Sequence, residues 1–286
     1  MTAVTAPTSN SPRKYDFGRG LLYVIAALVL LVIVVPLSFS IIGGFRSNAQ
    51  LAADPVALPN PWIFTNYQTA LTDPDFYQWV KNSVLIALIT TALVLPAASL
   101  AAFVIARYRF RGREFFFALF TLGLLFPVAV AILPLFITLR QTRLLNSPLG
   151  IALPQAAFGL PLSIVILRPF FRSIPRDLED AAAIDGCGPL RFYWSVMLPL
   201  SRPILSTIAV LTVVGSWNAF LLPLLVLIQP DQWTLPLGIN NISAQYVTDT
   251  AMILAYTTLA MIPALIFYFI AQRQIVSGLT AGGVKG

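Results

Sequence analysis

The 286-residue sequence contains no histidine and a single cysteine, and only 10% of its residues are charged. Without histidine it lacks the commonest general base and metal ligand. The lone Cys187 cannot form a disulfide within the chain. The sequence also has no G-x-x-x-x-G-K-[ST] phosphate-binding loop and no G-x-S-x-G nucleophile motif. We therefore expect no catalytic residue, no metal site and no ATP bound by this chain itself.

The residues that are present are mostly apolar, with 58% hydrophobic residues and a mean hydropathy of +0.82. Six runs lack Asp, Glu, Lys and Arg, and each has about the 20 helical residues needed to cross a bilayer. They cover residues 21–42, 82–105, 115–139, 148–167, 204–228 and 252–271. Prolines occur within all six runs, and membrane helices tolerate proline when neighbours satisfy the freed carbonyls. The sequence therefore predicts an all-α polytopic membrane protein with six transmembrane helices.

The basic residues are distributed unevenly between the two sides of the predicted membrane domain, 21–271. Fourteen of the 18 Lys and Arg residues fall on the side of both termini, which the positive-inside rule assigns to the cytoplasm. The tails 1–20 and 272–286 are thus predicted to be cytoplasmic. The first run is too long for a secretory signal and has no clear cleavage site, so we expect it to remain as a span. We therefore interpret the net charge of +7 as a signal of the chain's orientation in the lipid membrane and not of nucleic-acid binding.

One polar segment, residues 173–200, interrupts the apolar second half of the chain. Pro175 can open a helix, and acidic residues including Asp177 favour the positive end of its dipole. Gly186 stands where a left-handed C-terminal cap is wanted, and Pro189 can begin a second helix. The segment, here named the charged loop, is predicted to be a helix, a break and a second helix.

The charged loop also has the spacing of a known signature. Asp180, Ala181, Ala182, Gly186, Val196, Leu198 and Pro199 fill the EAA pattern of ABC importer permeases. Asp180 replaces the usual glutamate and follows Glu179, so either acid could reach a basic partner. Together with the glycine-rich tail at 278–286, the pattern makes the chain resemble the MalG-like permease subunits of maltose-type carbohydrate importers.

This resemblance implies the type I permease fold of ABC importers and a set of partners. The expected assembly contains a second permease, a dimer of ATP-binding subunits that use ATP and Mg, and an extracytoplasmic sugar-binding protein in a prokaryotic plasma membrane. The charged loop would dock on the ATPase, and so would a tail surface formed by Gly278, Thr280, Gly282 and Lys285. An ordinary amphipathic loop on the membrane and a solvated tail are the alternatives.

Several polar residues inside the predicted spans are candidates for a substrate path, namely Gln155, Trp217, Asn218 and Thr257. A polar side chain in hydrocarbon needs a partner, so bonding between helices is the alternative for each of them and for Thr258. Because the spans hold no buried acid or base, a neutral solute driven by an external motor is expected, and the resemblance implies that this solute is a sugar. The loop 229–251 could contact a sugar or a docking protein, or form a structured cap. Two other classes remain open, a secondary transporter and a non-transporting scaffold or sensor subunit.

Overall fold

The computed structural model describes the backbone of residues 17–245 and 249–281, with the side chains of 20–243, 249–269 and 272. All regular structure in these residues is helical, which confirms the all-α prediction. The α-helices are α1 (Phe17–Gly43), α2 (Asn48–Ala53), α3 (Thr65–Thr72), α4 (Pro74–Arg107), α5 (Arg113–Gly123), α6 (Val128–Gln141), α7 (Pro148–Ser173), α8 (Asp177–Ile184), α9 (Pro189–Phe192), α10 (Leu198–Leu200), α11 (Arg202–Trp217), α12 (Leu221–Val226), α13 (Leu235–Gln245) and α14 (Thr250–Ala281). A π-helical turn, Tyr193–Met197, joins α9 to α10, and a 3-10 turn occupies Pro230–Gln232.

Four helices in the described part of the chain are long and apolar enough to cross a membrane without interruption. They are α1, α4, α7 and α14, and they contain the predicted runs 21–42, 82–105, 148–167 and 252–271. Two bent pairs also pass when each pair is taken together, α5 with α6 at 96° and the 189–200 segment with α11 at 78°. The described residues therefore contain four to six candidate membrane helices.

Two predicted spans are not single helices. The run 115–139 is broken between α5 and α6, where Pro127 takes an extended conformation. Proline disfavours the helical conformation of the residue before it, which allows this break. The run 204–228 is interrupted after Trp217 and resumes as a helix at Leu221.

The core lies where α4 packs along α7, with α11 and α14 beside them. Ala98 and Ala102 of α4 are fully buried against a cluster that includes Ile164 and Leu167 of α7. Small side chains let membrane helices approach closely, so that the gain comes from van der Waals packing. By contrast, α1 packs on α14 and leaves nearly all of its apolar side chains exposed.

At the end of α4 remote from the charged loop, segment 229–245 folds over the helix bundle as a cap. Asn82 of α4 donates to the backbone carbonyls of Asp231 and Trp233 at 2.8 and 2.9 Å. The hydroxyl of Ser83 accepts from the backbone N–H of Leu235 at 2.8 Å. These bonds fix the backbone of segment 229–245 to α4. The described part of the predicted loop 229–251 is therefore a structured cap.

Candidate functional site

The first half of the charged loop is a short helix closed by a left-handed glycine. Gly186 has a φ of +72°, and its N–H donates to the carbonyl of Ala183 at 3.0 Å. The N–H of Cys187 donates to the carbonyl of Ala182 at 2.8 Å. This pair of bonds is a Schellman motif, which ends a helix and turns the chain. The expected cap at Gly186 is therefore present.

The second half of the loop is anchored in the core. Phe192, Tyr193 and Met197 are buried, and the Tyr193 hydroxyl lies 2.7 Å from the Ser99 hydroxyl of α4. Leu198 packs partly against the same core cluster, whereas Pro199 is exposed. The chain passes this region as a π-helical turn, a form that often marks functional sites. The second helix thus lies against α4 rather than standing free.

Arg107, the last residue of α4, links that helix to the end of α7 and to α8 of the charged loop. Its side chain is only 2% exposed and meets the carboxylate of Glu179 at 2.9 Å. Its Nη1 also donates to the Ile174 carbonyl at 2.7 Å, just beyond the end of α7. A buried guanidinium with a carboxylate and carbonyl partners is held in one geometry. The first turn of α8 is therefore fixed to the ends of α4 and α7.

The same arrangement raises the pKa of a neighbouring phenol. Tyr108 follows Arg107, and burial is the main cause that raises the pKa of Tyr108 above its ordinary value. The negative charge of Glu179 raises it further, and the positive charge of Arg107 acts in the opposite direction. Tyr108 therefore stays neutral at physiological pH and adds no charge to the pair.

Glu179 and Asp180 have different surroundings. Glu179 is half-buried and faces Arg107. Asp180 is exposed, and no ion pair joins it to another residue in the described part of the chain. Ile184, one turn further along α8, is 87% exposed. Side chains four residues apart lie on the same helix face, so Asp180 and Ile184 form one outward surface.

The exposed surface continues beyond the break. Leu190 is 69% exposed and Trp194 is 60% exposed, although both belong to the same anchored segment. Ala181 is also exposed, while Ala182 is half-buried against the core cluster. A rigid segment thus presents an acid and several large apolar side chains outward. Such exposed apolar groups are typical of interaction sites.

A cavity of about 420 Å³ lies between α4, α7 and α11. Its polar lining residues are Thr90, Gln155, Ser163, Thr212 and Ser216. The Gln155 Oε1 atom accepts from the hydroxyls of Thr90 at 3.1 Å and Ser216 at 2.7 Å. Its Nε2 atom is buried and has no hydrogen-bond partner among the described residues. Gln155 thus bonds between helices and also has a spare donor at this cavity.

The other residues suggested for the substrate path lie elsewhere. Trp217 and Asn218 line a second, almost wholly apolar cavity of about 550 Å³ between α4, α11 and α14. The Asn218 amide donates to the Val214 carbonyl of its own helix at 2.9 Å. Thr257 is half-buried on α14 and is absent from both linings. The structure therefore separates Gln155 from Trp217, Asn218 and Thr257.

The tail residues fall partly within α14. This helix continues to Ala281, so the backbone at Gly278 and Thr280 is helical. Gly282 and Lys285 lie outside the described residues. In the described part of the chain, no group of three His, Cys, Asp or Glu residues is arranged to hold a metal ion.

Three residues of the site are not distinguished by the sequence pattern. In the sequence Arg107 is one basic residue among several in a turn, and Ser99 and Thr90 are single hydroxyl residues in an apolar run. Their partners lie 72, 94 and 65 residues away along the chain. One signal is available for Arg107, because an arginine directly at the end of an apolar run can reach the carbonyl ends of neighbouring helices.

Comparisons with known proteins agree with this architecture. Residues 94–280 match the family described as binding-protein-dependent transport system inner membrane component. A diacetylchitobiose uptake system permease protein, NgcG of Streptomyces coelicolor, is 35% identical over 261 residues, covering 90% of this chain and 86% of that protein. The arabinooligosaccharides transport system permease protein AraQ of Halalkalibacterium halodurans is 34% identical, covering 91% of this chain and 94% of that protein.

Two further similarities extend over nearly the whole chain. The sulfoquinovosyl glycerol transport system permease protein SmoH of Agrobacterium fabrum is 33% identical, with 99% of both chains covered. A crystal structure of a bacterial ABC transporter involved in the import of the acidic polysaccharide alginate contains a chain with the same fold. It has a TM-score of 0.75 at 24% identity and covers 94% of this chain and 99% of that one. The chain therefore belongs to the family of inner membrane components of binding-protein-dependent transport systems, and it is a permease subunit of an ABC importer.

Proposed function

We propose that this permease forms half of the translocation path of a sugar or oligosaccharide importer and that the charged loop couples it to a separate ATPase. The observation that carries the proposal is the construction of the loop. It is fixed to α4 by Arg107 and Tyr193, yet it presents Asp180 and Ile184 outward. A segment anchored in this way transmits a displacement of the docked subunit to the helix bundle.

The family, and the lack of a phosphate-binding loop in this sequence, support a proposal for the remaining subunits. The dimer of ATP-binding subunits would bind ATP and Mg and hydrolyse the nucleotide. A second permease would complete the path, and an extracytoplasmic binding protein would deliver the sugar to the capped side. The bias of basic residues supports a cytoplasmic position for both termini and for the charged loop.

Copurification tests the assembly. The tagged permease is extracted from its native membrane in a mild detergent, and each copurifying chain is sequenced and examined for a P-loop. The proposal predicts one P-loop chain, a second chain of this permease family and no proton-coupled carrier. A permease that is recovered alone and still transports sugar would contradict it.

Within the loop, we assign the ATPase contact to Asp180 rather than to Glu179. Glu179 already bonds to Arg107, whereas Asp180 points outward. Asp180→Asn should weaken ATPase binding by about five- to twelvefold, because asparagine keeps a hydrogen-bond acceptor but loses the roughly 1 to 1.5 kcal/mol by which a bond to a charged group exceeds a neutral one. Glu179→Gln should instead lower the thermal stability of the permease measured without the ATPase. If Glu179→Gln weakens docking more than Asp180→Asn at unchanged stability, the assignment is reversed.

For the solute, we propose a neutral sugar that passes the cavity lined by Gln155. The described lining offers hydroxyl groups and an amide but no charged side chain. Sugar hydroxyls can exchange hydrogen bonds with such groups, and the spare Nε2 donor of Gln155 is suited to bind one sugar oxygen. The fold alone does not set the charge of the solute, since the alginate importer carries an acidic polysaccharide. Uptake assays with neutral and acidic oligosaccharides of equal length test this proposal, and faster uptake of the acidic series would contradict it.

A further inference from the structure

The turn between α4 and α5, at the end of the molecule that bears the charged loop, forms a basic pocket of about 440 Å³. Its lining residues are Arg109, Phe110, Gly112, Arg113, Glu114 and Phe115. Gly112 has a φ of +89°, which lets the chain reverse tightly and start α5. The turn therefore gathers two arginines and two aromatic rings around one opening.

The single acid in this pocket is already paired with arginines of the same chain. The Glu114 carboxylate accepts from the buried Arg168 at 2.5 Å and pairs with Arg113 at 3.0 Å. Arg172 lies 3.9 Å away. Arg109 and Arg111 are exposed and have no carboxylate partner in the described part of the chain. The pocket is therefore positively charged and has arginines available for an anion.

An apolar groove of about 360 Å³ adjoins the basic pocket. It is lined by Leu100, Ala101, Val104, Ile105, Phe110, Phe116 and Phe120. Phe110 belongs to both linings, and its ring lies 6.2 Å from that of Phe116. Along α4, the stretch from Leu100 to Ile105 covers about 7 Å at 1.5 Å per residue. The groove thus runs from the basic pocket along the exposed, apolar faces of α4 and α5.

We propose that this composite surface binds an anionic diacyl phospholipid. The phosphate of the headgroup is bound by Arg109, because guanidinium groups form paired hydrogen bonds to phosphate oxygens. Arg111 adds a further positive charge at the same turn, whereas Arg113 stays paired with Glu114. One acyl chain lies in the groove beside Val104 and Phe116. Basic pockets at the ends of membrane helices are typical sites for anionic headgroups. A free phosphate would use the arginines but would leave the apolar groove empty, so the pairing of both features favours a lipid.

Native mass spectrometry of the assembled transporter measures the occupancy directly. Phosphatidylglycerol and phosphatidylcholine with identical acyl chains are added to the detergent-solubilised complex. Arg109→Gln/Arg111→Gln should weaken phosphatidylglycerol binding by up to about 25-fold, taking about fivefold per basic residue near the headgroup. Arg140→Gln/Arg143→Gln removes the same charge as a matched control and should leave binding unchanged; both arginines are exposed, Arg140 in the last turn of α6 and Arg143 just beyond it.

Further experiments distinguish a bound phospholipid from a free anion, and from a groove that another subunit covers in the complex. Val104 is 43% exposed in the groove, so Val104→Trp should fold normally and lower the occupancy of both lipids by obstructing the acyl chain. Sodium phosphate at millimolar concentration should not displace phosphatidylglycerol. Equal occupancy by both lipids, no effect of Arg109→Gln/Arg111→Gln, or displacement by phosphate would each overturn the proposal. Lipid bound to the isolated permease but not to the complex would also overturn it, since another subunit would then cover the groove.

Discussion

Valine should be costly at Gly186 of the charged loop and nearly neutral at Gly188, although the two glycines are only two residues apart. Gly186 has a φ of +72°, whereas Gly188 has a φ of −69° and a ψ of 167°. A Cβ atom added at either position meets no atom within 4 Å. The steric surroundings are therefore equally open, and only the backbone conformation distinguishes the two sites.

The expected cost at Gly186 can be stated from this geometry. A residue with a side chain loses about 1 to 2 kcal/mol in the left-handed region, and a β-branched residue reaches about 3 kcal/mol. Gly186→Val should therefore disfavour the Schellman turn by about five- to 150-fold if the strain is not relieved elsewhere. Gly186→Asn should cost least, because asparagine tolerates this region. Gly188→Val should be close to neutral, since valine before Pro189 accepts an extended conformation.

The assay is a titration of purified ATPase onto permease held in nanodiscs, with binding and solute-stimulated ATP hydrolysis measured on the same sample. We expect affinity and coupling to fall in the order Asn, Ala, Val at position 186, with normal insertion throughout. The reasoning is refuted if Gly186→Val binds the ATPase as well as Gly188→Val does, or if both variants lose binding equally.

Two other predictions concern the path and the tail. Gln155→Leu should remove a hydrogen bond to the solute and raise the KM for uptake by about two- to twelvefold in the folded fraction, while loss of the bonds to Thr90 and Ser216 lowers the folded yield; altered uptake in Asn218→Ala with an unchanged KM in Gln155→Leu would place the path at the other cavity. Truncation after Ser277 should leave insertion and assembly intact but reduce solute-stimulated ATP hydrolysis, because the removed segment is proposed to contact the ATPase; full-rate hydrolysis and import by the truncated complex would show that the segment is dispensable.

The break and cap of the charged loop could be predicted because their causes are local. A glycine after a run of helix formers and a proline three residues later specify a turn regardless of what surrounds them. The pairing of Arg107 with Glu179 could not be predicted in this way, because it joins residues 72 positions apart and depends on how α4 and α7 end together. For this reason the sequence could not show which of Glu179 and Asp180 faces outward, and the structure does.

The interruptions of two predicted spans show a limit of apolar run length as a signal. Pro96 lies within the continuous helix α4 and Pro263 within α14, while Pro127 stands at the break between α5 and α6. Neighbouring helices can satisfy the carbonyls that a proline frees, so proline alone does not decide whether a membrane helix continues. Length and apolarity predict where the chain could cross a membrane, but they do not predict where a helix bends.

Photo-crosslinking from position 184 tests docking of the charged loop most directly. Ile184 is 87% exposed beside Asp180, and Leu133 is 68% exposed on α6 as a matched apolar control. A photoreactive phenylalanine analogue is placed at each position in the intact complex, and the crosslinked chains are identified with and without ATP. The account predicts that position 184 crosslinks to the P-loop subunit with a yield that changes on ATP binding, and that position 133 does not. Crosslinking of position 184 to lipid or to no subunit at all, under both conditions, would contradict it.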